Sequence, residues 1–249
     1  MVQPKLESGL AIVEEHWDVE PETAFRDGID TAGNDVRRLV LSQGDVLLRY
    51  DAIVTTSSDV DATDPSVQQI DPHELPDEML IYLLPSRYCP SDVLVDKAWE
   101  LFGDVEPGWS RVQAISDWVH ENIRFEYGGS TAMTSAAETF ERRAGVCRDF
   151  THLAVTFCRA LNVPARYAFG YLPDIGVTPP DAPMDFCAWL EVYLSGRWWT
   201  FDPRNNQRRI AHIVIGRGRD AADVPMIMTF GMTTLNKMTV WADQILPAP

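Results

Sequence analysis

The sequence predicts an α+β protein: helices followed by antiparallel strands, with a smaller β-rich part in front. Three observations carry this. Apolar residues recur with helical period between Ser91 and Leu161. From Ala165 onward the chain changes to aromatic and β-branched runs separated by turn residues. Before Asp71, β-forming runs alternate with turn signals and no helical period is present. Helices and strands segregated along the chain in this way are the mark of the α+β class.

In chain order, Val36–Leu41 reads as a strand, led by the turn-like Ala32-Gly33-Asn34-Asp35, and Asp45–Val54 as another. Gly44 lies between them, so the two are expected to form a hairpin. Thr55–Pro72 is rich in Ser, Thr, Asp and Pro and reads as a linker or exposed loop. A boundary there gives a β-rich N-terminal domain over residues 1–71, linker included, and a main unit over 72–249.

Ser91 is the expected N-cap of a first helix, with Leu94, Val95, Ala98, Leu101 and Phe102 as its buried stripe and Gly103 as its stop. Val112, Ile115, Val119 and Ile123 mark a second, ending near Tyr127-Gly128-Gly129. Ser135-Ala136-Ala137-Glu138 has capping-box form and opens a short third, closed by Gly145. Phe150, Leu153, Ala154, Phe157 and Leu161 define a fourth that starts at Cys147 and ends before Val163-Pro164.

Arg166–Leu172 begins the strands, and the proline-rich loop Pro173–Pro183 that follows is long enough to be a lid or binding loop. Phe186–Leu194 and Arg197–Asp202 flank the two-residue turn Ser195-Gly196. That hairpin pairs Leu194 with Arg197, and the register continued upstream puts Cys187 and Asp202 on one face, roughly 7 Å apart at the backbone. Ile210–Val214 is a further candidate strand.

A chain of 249 residues with 45% hydrophobic and 23% charged residues is an ordinary globular mix. Its net charge of −16 argues against nucleic acid or an anionic membrane as partner, since phosphate contacts need clustered Lys and Arg. No apolar run approaches the ~18 residues that would span a bilayer, and the N-terminus does not read as a signal peptide, so a cytoplasmic location is expected. The four cysteines, Cys89, Cys147, Cys158 and Cys187, lie far apart with no C-x-x-C spacing. That pattern argues against a zinc site and a disulfide scaffold, and no metal or cofactor is expected.

Cys147 is the residue around which the chemistry is read. In the first turn of a helix, unpaired backbone N–H groups and the positive end of the macrodipole favour a thiolate, and Arg143 and Arg148 add positive charge in sequence. The alternative reading is a buried, inert thiol. Cys147 and Cys158 lie about 16 Å apart along one helix and cannot bridge.

The strings GVCRDFTHLAVTFCRALNVPARYAFGYLPD and MDFCAWLEVYLSGRWWTFDPR resemble the transglutaminase-like superfamily, most closely its bacterial cysteine-protease-like branch, from about Leu83 to Phe230. The resemblance implies a papain-like core, helices packed on an antiparallel sheet, behind a β-rich N-terminal domain that looks shortened at its start. It also implies a Cys-His-Asp triad. The nucleophile falls on Cys147 and the acidic member on Asp202.

The histidine does not carry over: where the family has H-A-W, this chain has Cys187-Ala188-Trp189. Members of the branch also tend to have a histidine after the aspartate, where this chain has Asn205. An imidazole would take the thiol proton and later protonate a leaving amine, work that a neutral thiol cannot begin. His212 reads more readily as a satisfied or surface histidine on an alternating strand than as a relocated base. His152 lies off the Cys147 face of its helix, and His16, His73 and His120 have no evident partner. Trp189, Trp198 and Trp199 fit hairpin packing, though Trp189 adjoins the site and is the candidate to touch substrate. Glu191 reads as an ion-pair residue with no partner legible in sequence.

Three functions follow as expectations. The first is a thiol enzyme acting on amide or peptide bonds, by hydrolysis or acyl transfer, with a peptide or protein substrate and Cys147, Cys187 and Asp202 at its centre. The second is a pseudoenzyme whose cleft binds a peptide or protein, and the third a thiol-redox site of Cys147 and Cys187. The shorter Cys187 side chain is expected to leave room for water beside Cys147, so the thiols would bridge only after oxidation and some backbone movement.

Overall fold

The computed structural model of the chain describes residues 1–7 and 9–245. It begins with β1 (Ala11–Glu20), β2 (Phe25–Ile29), β3 (Asp35–Leu39) and β4 (Leu47–Thr55). β2 and β3 form an antiparallel hairpin, whose turn is tied by the Asp30 carboxylate accepting from Ala32 N and Asn34 N, both at 2.8 Å. β4 pairs antiparallel with β1. The expected hairpin across Gly44 therefore does not form; Gly44, at φ 114°, lies in a connection between two separate ribbons. β1 escaped the sequence reading because AIVEEHWDVE scatters its few apolar residues among charges and only weakly alternates.

The main unit runs through α1 (Val95–Phe102), α2 (Trp109–Asn122), β5 (Arg124–Phe125), α3 (Ala136–Arg142), β6 (Ala144–Gly145) and α4 (Cys147–Ala160). It continues with β7 (Ala165–Tyr171), β8 (Cys187–Leu194), β9 (Arg197–Phe201) and β10 (Ile213–Gly218). α1 starts later than expected. Ser91 is buried in a turn before it, and the N-cap is Leu94, which offers no side-chain acceptor. α2 stops at Asn122 because Arg124 and Phe125 turn extended and pair in parallel with Ala144 and Gly145. The Ser135–Glu138 capping box of α3 is present in both directions. Its terminus is Arg143, left-handed at φ 57°, and not Gly145.

The sheet has the order β10-β7-β8-β9 and is antiparallel throughout. The hairpin register is as expected, from Leu194 opposite Arg197 to Leu190 opposite Phe201. α4 packs on β7 and β8 and is covered on its other flank by α1, α2 and α3. Leu153, Phe157, Cys158 and Leu161 are fully buried. Burying a Leu or Phe side chain contributes roughly 1.5–3 kcal/mol. The polar flank of α4 is buried too: Asp149, His152, Thr156 and Arg159 have almost no accessible surface. Arg159 is accommodated because its guanidinium donates to the carbonyls of Leu84, Ala165 and Arg219.

Alternation gives the sheet two chemically distinct faces. Ala188, Leu190, Val192 and Leu194 meet the helices. Trp189 and Glu191 point the other way, where Glu191 is held by Arg166 at 2.5 Å and Arg217 at 2.8 Å. These are the partners that sequence could not name. Asn34, at the tip of the first hairpin, grips the same region by donating to Arg217 O and accepting from Arg217 N. The expected linker also docks there: Val60 bridges Ile210, and Asp61 N donates to Arg209 O at 2.9 Å. The expected strand Ile210–Val214 is broken by Ala211, left-handed at φ 62°, so β10 begins only at Ile213.

Candidate active site

Cys147 is the first residue of α4, and the structure fixes that helix start from below. The buried Asp149 carboxylate reaches back to accept from Val146 N at 2.9 Å, from Ser130 Oγ at 2.5 Å and from the Arg148 guanidinium at 2.7 Å. Gly145 makes room for this. A Cβ at Gly145 would stand 2.7 Å from Asp149 Cβ and 2.8 Å from its Oδ2. The Gly-Val-Cys-Arg-Asp string is thus a device for presenting Cys147 on a rigid first turn.

The Cys147 sulfur comes against the start of β8. Its Sγ donates to Phe186 O at 3.7 Å, so it lies against the backbone that leads into Cys187. The Cys187 thiol donates to Ala188 O at 3.8 Å, and each thiol shifts the pKa of the other. The Cys187 thiol, by hydrogen-bonding the Cys147 sulfur, does most to draw the Cys147 pKa below the ordinary thiol value; burial opposes this, and Ala188 N–H and Arg204 assist. The same bond, with burial and the nearby Asp202 charge, holds Cys187 well above that value. Of the two thiols, Cys147 is the one that ionises first. Cys89 and Cys158 are each pushed up to about 12 by burial.

The cation beside Cys147 is not one of those expected. Arg143 stacks over Trp118 and Phe140, and Arg148 is spent on Asp149 and Thr131 O. Arg204 supplies the charge, held over the Phe125 ring at 4.5 Å and tied to Asn205 Oδ1 at 2.7 Å. Nothing in sequence distinguishes it from other arginines of the segment after Asp202.

Asp202 follows β9 and is buried. Its Oδ1 accepts from Arg204 N and Asn205 N at 3.1 and 3.0 Å, and its Oδ2 from Asn205 Nδ2 at 2.5 Å. Burial would raise its pKa, yet His212 and Asn205 outweigh that and hold it below the usual carboxylate range.

His212 is a paired histidine, one of the readings the sequence favoured over a relocated base, but it lies just before β10 and not at the surface, with 6% of its side chain exposed. Its Nδ1 holds Asp61 Oδ1 at 3.0 Å, and its Nε2 faces Asp202 Oδ2 at 3.7 Å, too far for a hydrogen bond but close enough for strong charge attraction. Burial disfavours the charged ring, but the two carboxylates raise its pKa to about 9. His212 lines a cavity of about 210 Å³ together with Trp189, Glu191, Thr200 and Arg217, on the sheet face turned away from the helices, and Cys147 is not part of it. Asp61 and His212 are the site residues that sequence reasoning missed or set aside. Asp61 sat in a segment read as linker, and only the Val60–Ile210 bridge brings it in.

Trp189, the expected substrate contact, has no accessible surface and packs on His212 with tilted rings, centroids 4.5 Å apart. His152 is enclosed between Tyr88 and Tyr167, accepts from Ala221 N, and is pushed down to about 3 by burial. His120 donates to the carbonyl of Arg204 at 3.0 Å and steadies the segment after Asp202. Among the described residues no three metal-ligating side chains converge.

Comparison with known proteins identifies the family and the fold. Residues 98–203 match the family model described as Transglutaminase-like superfamily. A solved structure titled "Putative Cysteine Protease" from Cytophaga hutchinsonii is 33% identical, with a TM-score of 0.79 over 90% of this chain and 76% of that one. The chain belongs to the transglutaminase-like superfamily. An uncharacterised protein of Mycobacterium leprae is 27% identical over 199 residues, 74% of this chain and 70% of that protein. One from Mycobacterium tuberculosis is 31% identical over 169 residues, 63% of this chain and 48% of that protein, so this chain spans about half of that relative. The α+β fold expected from sequence is the superfamily's papain-like arrangement. Among the described residues no helix is long and apolar enough to cross a membrane.

Proposed function

We propose that this superfamily member is a thiol enzyme acting on amide or peptide bonds through an acyl-Cys147 intermediate. The observation that supports it is the seat of the Cys147 sulfur: a helix N-terminus beneath it, the start of β8 against it with Phe186 O at 3.7 Å, and Cys187, Ala188 N–H and Arg204 drawing its pKa down. These groups favour the nucleophilic thiolate. Attack on a carbonyl would give a tetrahedral oxyanion. The Cys187 S–H would then pass its proton to the leaving amine, doing part of an imidazole's work. Water or an acceptor amine, deprotonated by the resulting Cys187 thiolate, would release the acyl group and restore both thiols. Asp202 opposes charge on Cys187, and so makes that thiol a ready proton acceptor once it has donated.

The substrate is proposed to be a peptide or protein, and the working compartment a reducing one such as the cytoplasm. The test is acyl trapping. The protein is incubated with a broad peptide panel, quenched in acid and mapped by mass spectrometry. An acyl adduct on Cys147, absent from Cys147→Ala, is the expected result; no adduct and no turnover on any panel member would defeat the proposal.

A second reading, a non-catalytic peptide- or protein-binding module, is favoured by one observation. The imidazole that Asp202 engages lies on the face of the sheet away from Cys147. Saturable peptide binding without turnover in the same assay would support it.

A further inference from the structure

We infer that Cys147 and Cys187 form a peroxide-reactive dithiol, in which a hydroperoxide oxidises Cys147 and Cys187 resolves the product to an intramolecular disulfide. The inference goes beyond amide chemistry and does not depend on it. It stands first on placement. The Cys147 sulfur lies 3.7 Å from Phe186 O, the carbonyl that leads directly into Cys187, and each thiol shifts the pKa of the other. Each is partly accessible, whereas Cys89 and Cys158 are sealed in the core.

The site also discriminates between its two sulfurs. Oxidation by a peroxide needs a thiolate, and resolution needs a second thiol that stays protonated until the first has reacted. The Cys187 thiol, Ala188 N–H and Arg204 draw the Cys147 pKa down, while Cys147, burial and Asp202 push that of Cys187 up, so Cys147 ionises first. Once Cys147 carries an uncharged sulfenic acid, the negative sulfur that held Cys187 protonated is gone.

The backbone permits the closing movement. Cys187 is the first residue of β8, directly after the irregular stretch from Leu172 to Phe186. Its strand neighbour is Gly170 on β7, and pairing with β9 begins only at Leu190. The start of β8 can therefore shift without breaking the hairpin.

The steps balance. The Cys147 thiolate attacks the hydroperoxide, an S–O bond forms as O–O breaks, and the alkoxide or hydroxide takes a proton and leaves as alcohol or water. Cys187, deprotonated, attacks the Cys147 sulfur; S–S forms, S–O breaks, and hydroxide leaves as water. Two thiols lose two electrons and the peroxide gains them. A small dithiol reductant reverses the bridge. In the bridged form Cys147 is no longer a nucleophile, so the same reaction would switch off acyl chemistry at this site.

The experiment uses the whole chain and hydrogen peroxide. Reduced protein is treated with a few equivalents, alkylated, and mapped without reduction. The expected result is a Cys147–Cys187 link approaching one per chain, Cys89 and Cys158 still free, and full reversal by dithiothreitol. In Cys187→Ser, with its fold verified by circular dichroism, Cys147 should be trapped by dimedone and reach the sulfinic acid at least about tenfold faster than in the wild type. A wild-type protein in which Cys147 goes to the sulfinic acid while Cys187 stays a free thiol would overturn the inference. So would Cys147 oxidation no faster than that of Cys158. Both outcomes are read on the wild type, so a misfolded variant would not blunt the test. Neither depends on the protein cleaving any amide.

Discussion

Nε2 of His212 lies 3.7 Å from Oδ2 of Asp202, and the same ring holds Asp61 through Nδ1 at 3.0 Å. An imidazolium thus stands between the buried Asp202 and the partly buried Asp61. In a triad, the carboxylate orients an imidazole aimed at the nucleophile. Here the Asp202 carboxylate is turned toward an imidazole that packs on Trp189, and Cys187 lies on the same sheet face as Trp189.

This ion triad makes a prediction about pH. The His212 pKa is raised to about 9 from an ordinary 6.5, so its contribution is complete below pH 6.5 and is lost as pH rises through about 9. A shift of that size corresponds to about 3 kcal/mol. Urea denaturation of wild type and His212→Gln should show the wild type more stable by about that amount at pH 6, with the gap closing by pH 9.5. The Asp202 shift is the same attraction seen from its partner: it is lost as pH falls and is not an added term. A gap that is constant across this range would mean His212 is neutral in the folded protein.

Cys147 should alkylate first. At neutral pH the thiols pushed up to about 12, Cys89 and Cys158, are almost wholly protonated and also sealed. Iodoacetamide followed by peptide mass mapping should label Cys147 faster than Cys158 by on the order of a hundredfold or more. Equal rates would remove the case for an activated nucleophile.

Gly145→Ala should weaken the helix start without touching the thiol. The added methyl group meets the Asp149 side chain at 2.7 Å, so the carboxylate must move and release Val146 N. A loss of about 1–3 kcal/mol is expected from the unmade buried hydrogen bond, with slower iodoacetamide labelling of Cys147. Unchanged labelling in a destabilised protein would separate the stability of this turn from the reactivity of Cys147.

Cys187→His should raise any acyl-transfer or amidase rate by about a hundredfold or more, the usual value of a positioned base. The new ring would have to take the place of the Asn205 amide, whose Nδ2 now donates to Asp202 Oδ2 at 2.5 Å. Steady-state rates on a peptide panel would measure the gain. If both wild type and folded variant stay inactive, the binding-module reading gains the ground.

Much of this was legible in sequence for local reasons. Ser135 and Glu138 spell a capping box, the apolar period of α4 is explicit, and Ser195-Gly196 sets a register that the pairing of Leu190 with Phe201 reproduces. The same register put Cys187 and Asp202 in reach of one another. What sequence lacked were the long-range pairings. Gly44 looks like a hairpin turn until β1 is seen to pair with β4. Asp61 looks like linker until Val60 meets Ile210, 150 residues further on. His212 reads as one lone histidine because both of its carboxylates come from elsewhere in the chain. Arg204 is singled out only by its seat over the ring of Phe125.

The docking of Asp61 bears on how this chain can be divided. Cys147, Cys187, Asp202 and His212 all lie after residue 72, so a piece cut at that point would keep every residue a motif search would ask for. It would also leave the imidazolium with one counter-charge instead of two, and strip the Arg209 amide of the acceptor that Asp61 Oδ2 provides at 3.0 Å. The border natural for cloning and the border of the electrostatic unit do not coincide. A trimmed protein and an intact one would therefore carry identical catalytic lettering and differently poised carboxylates.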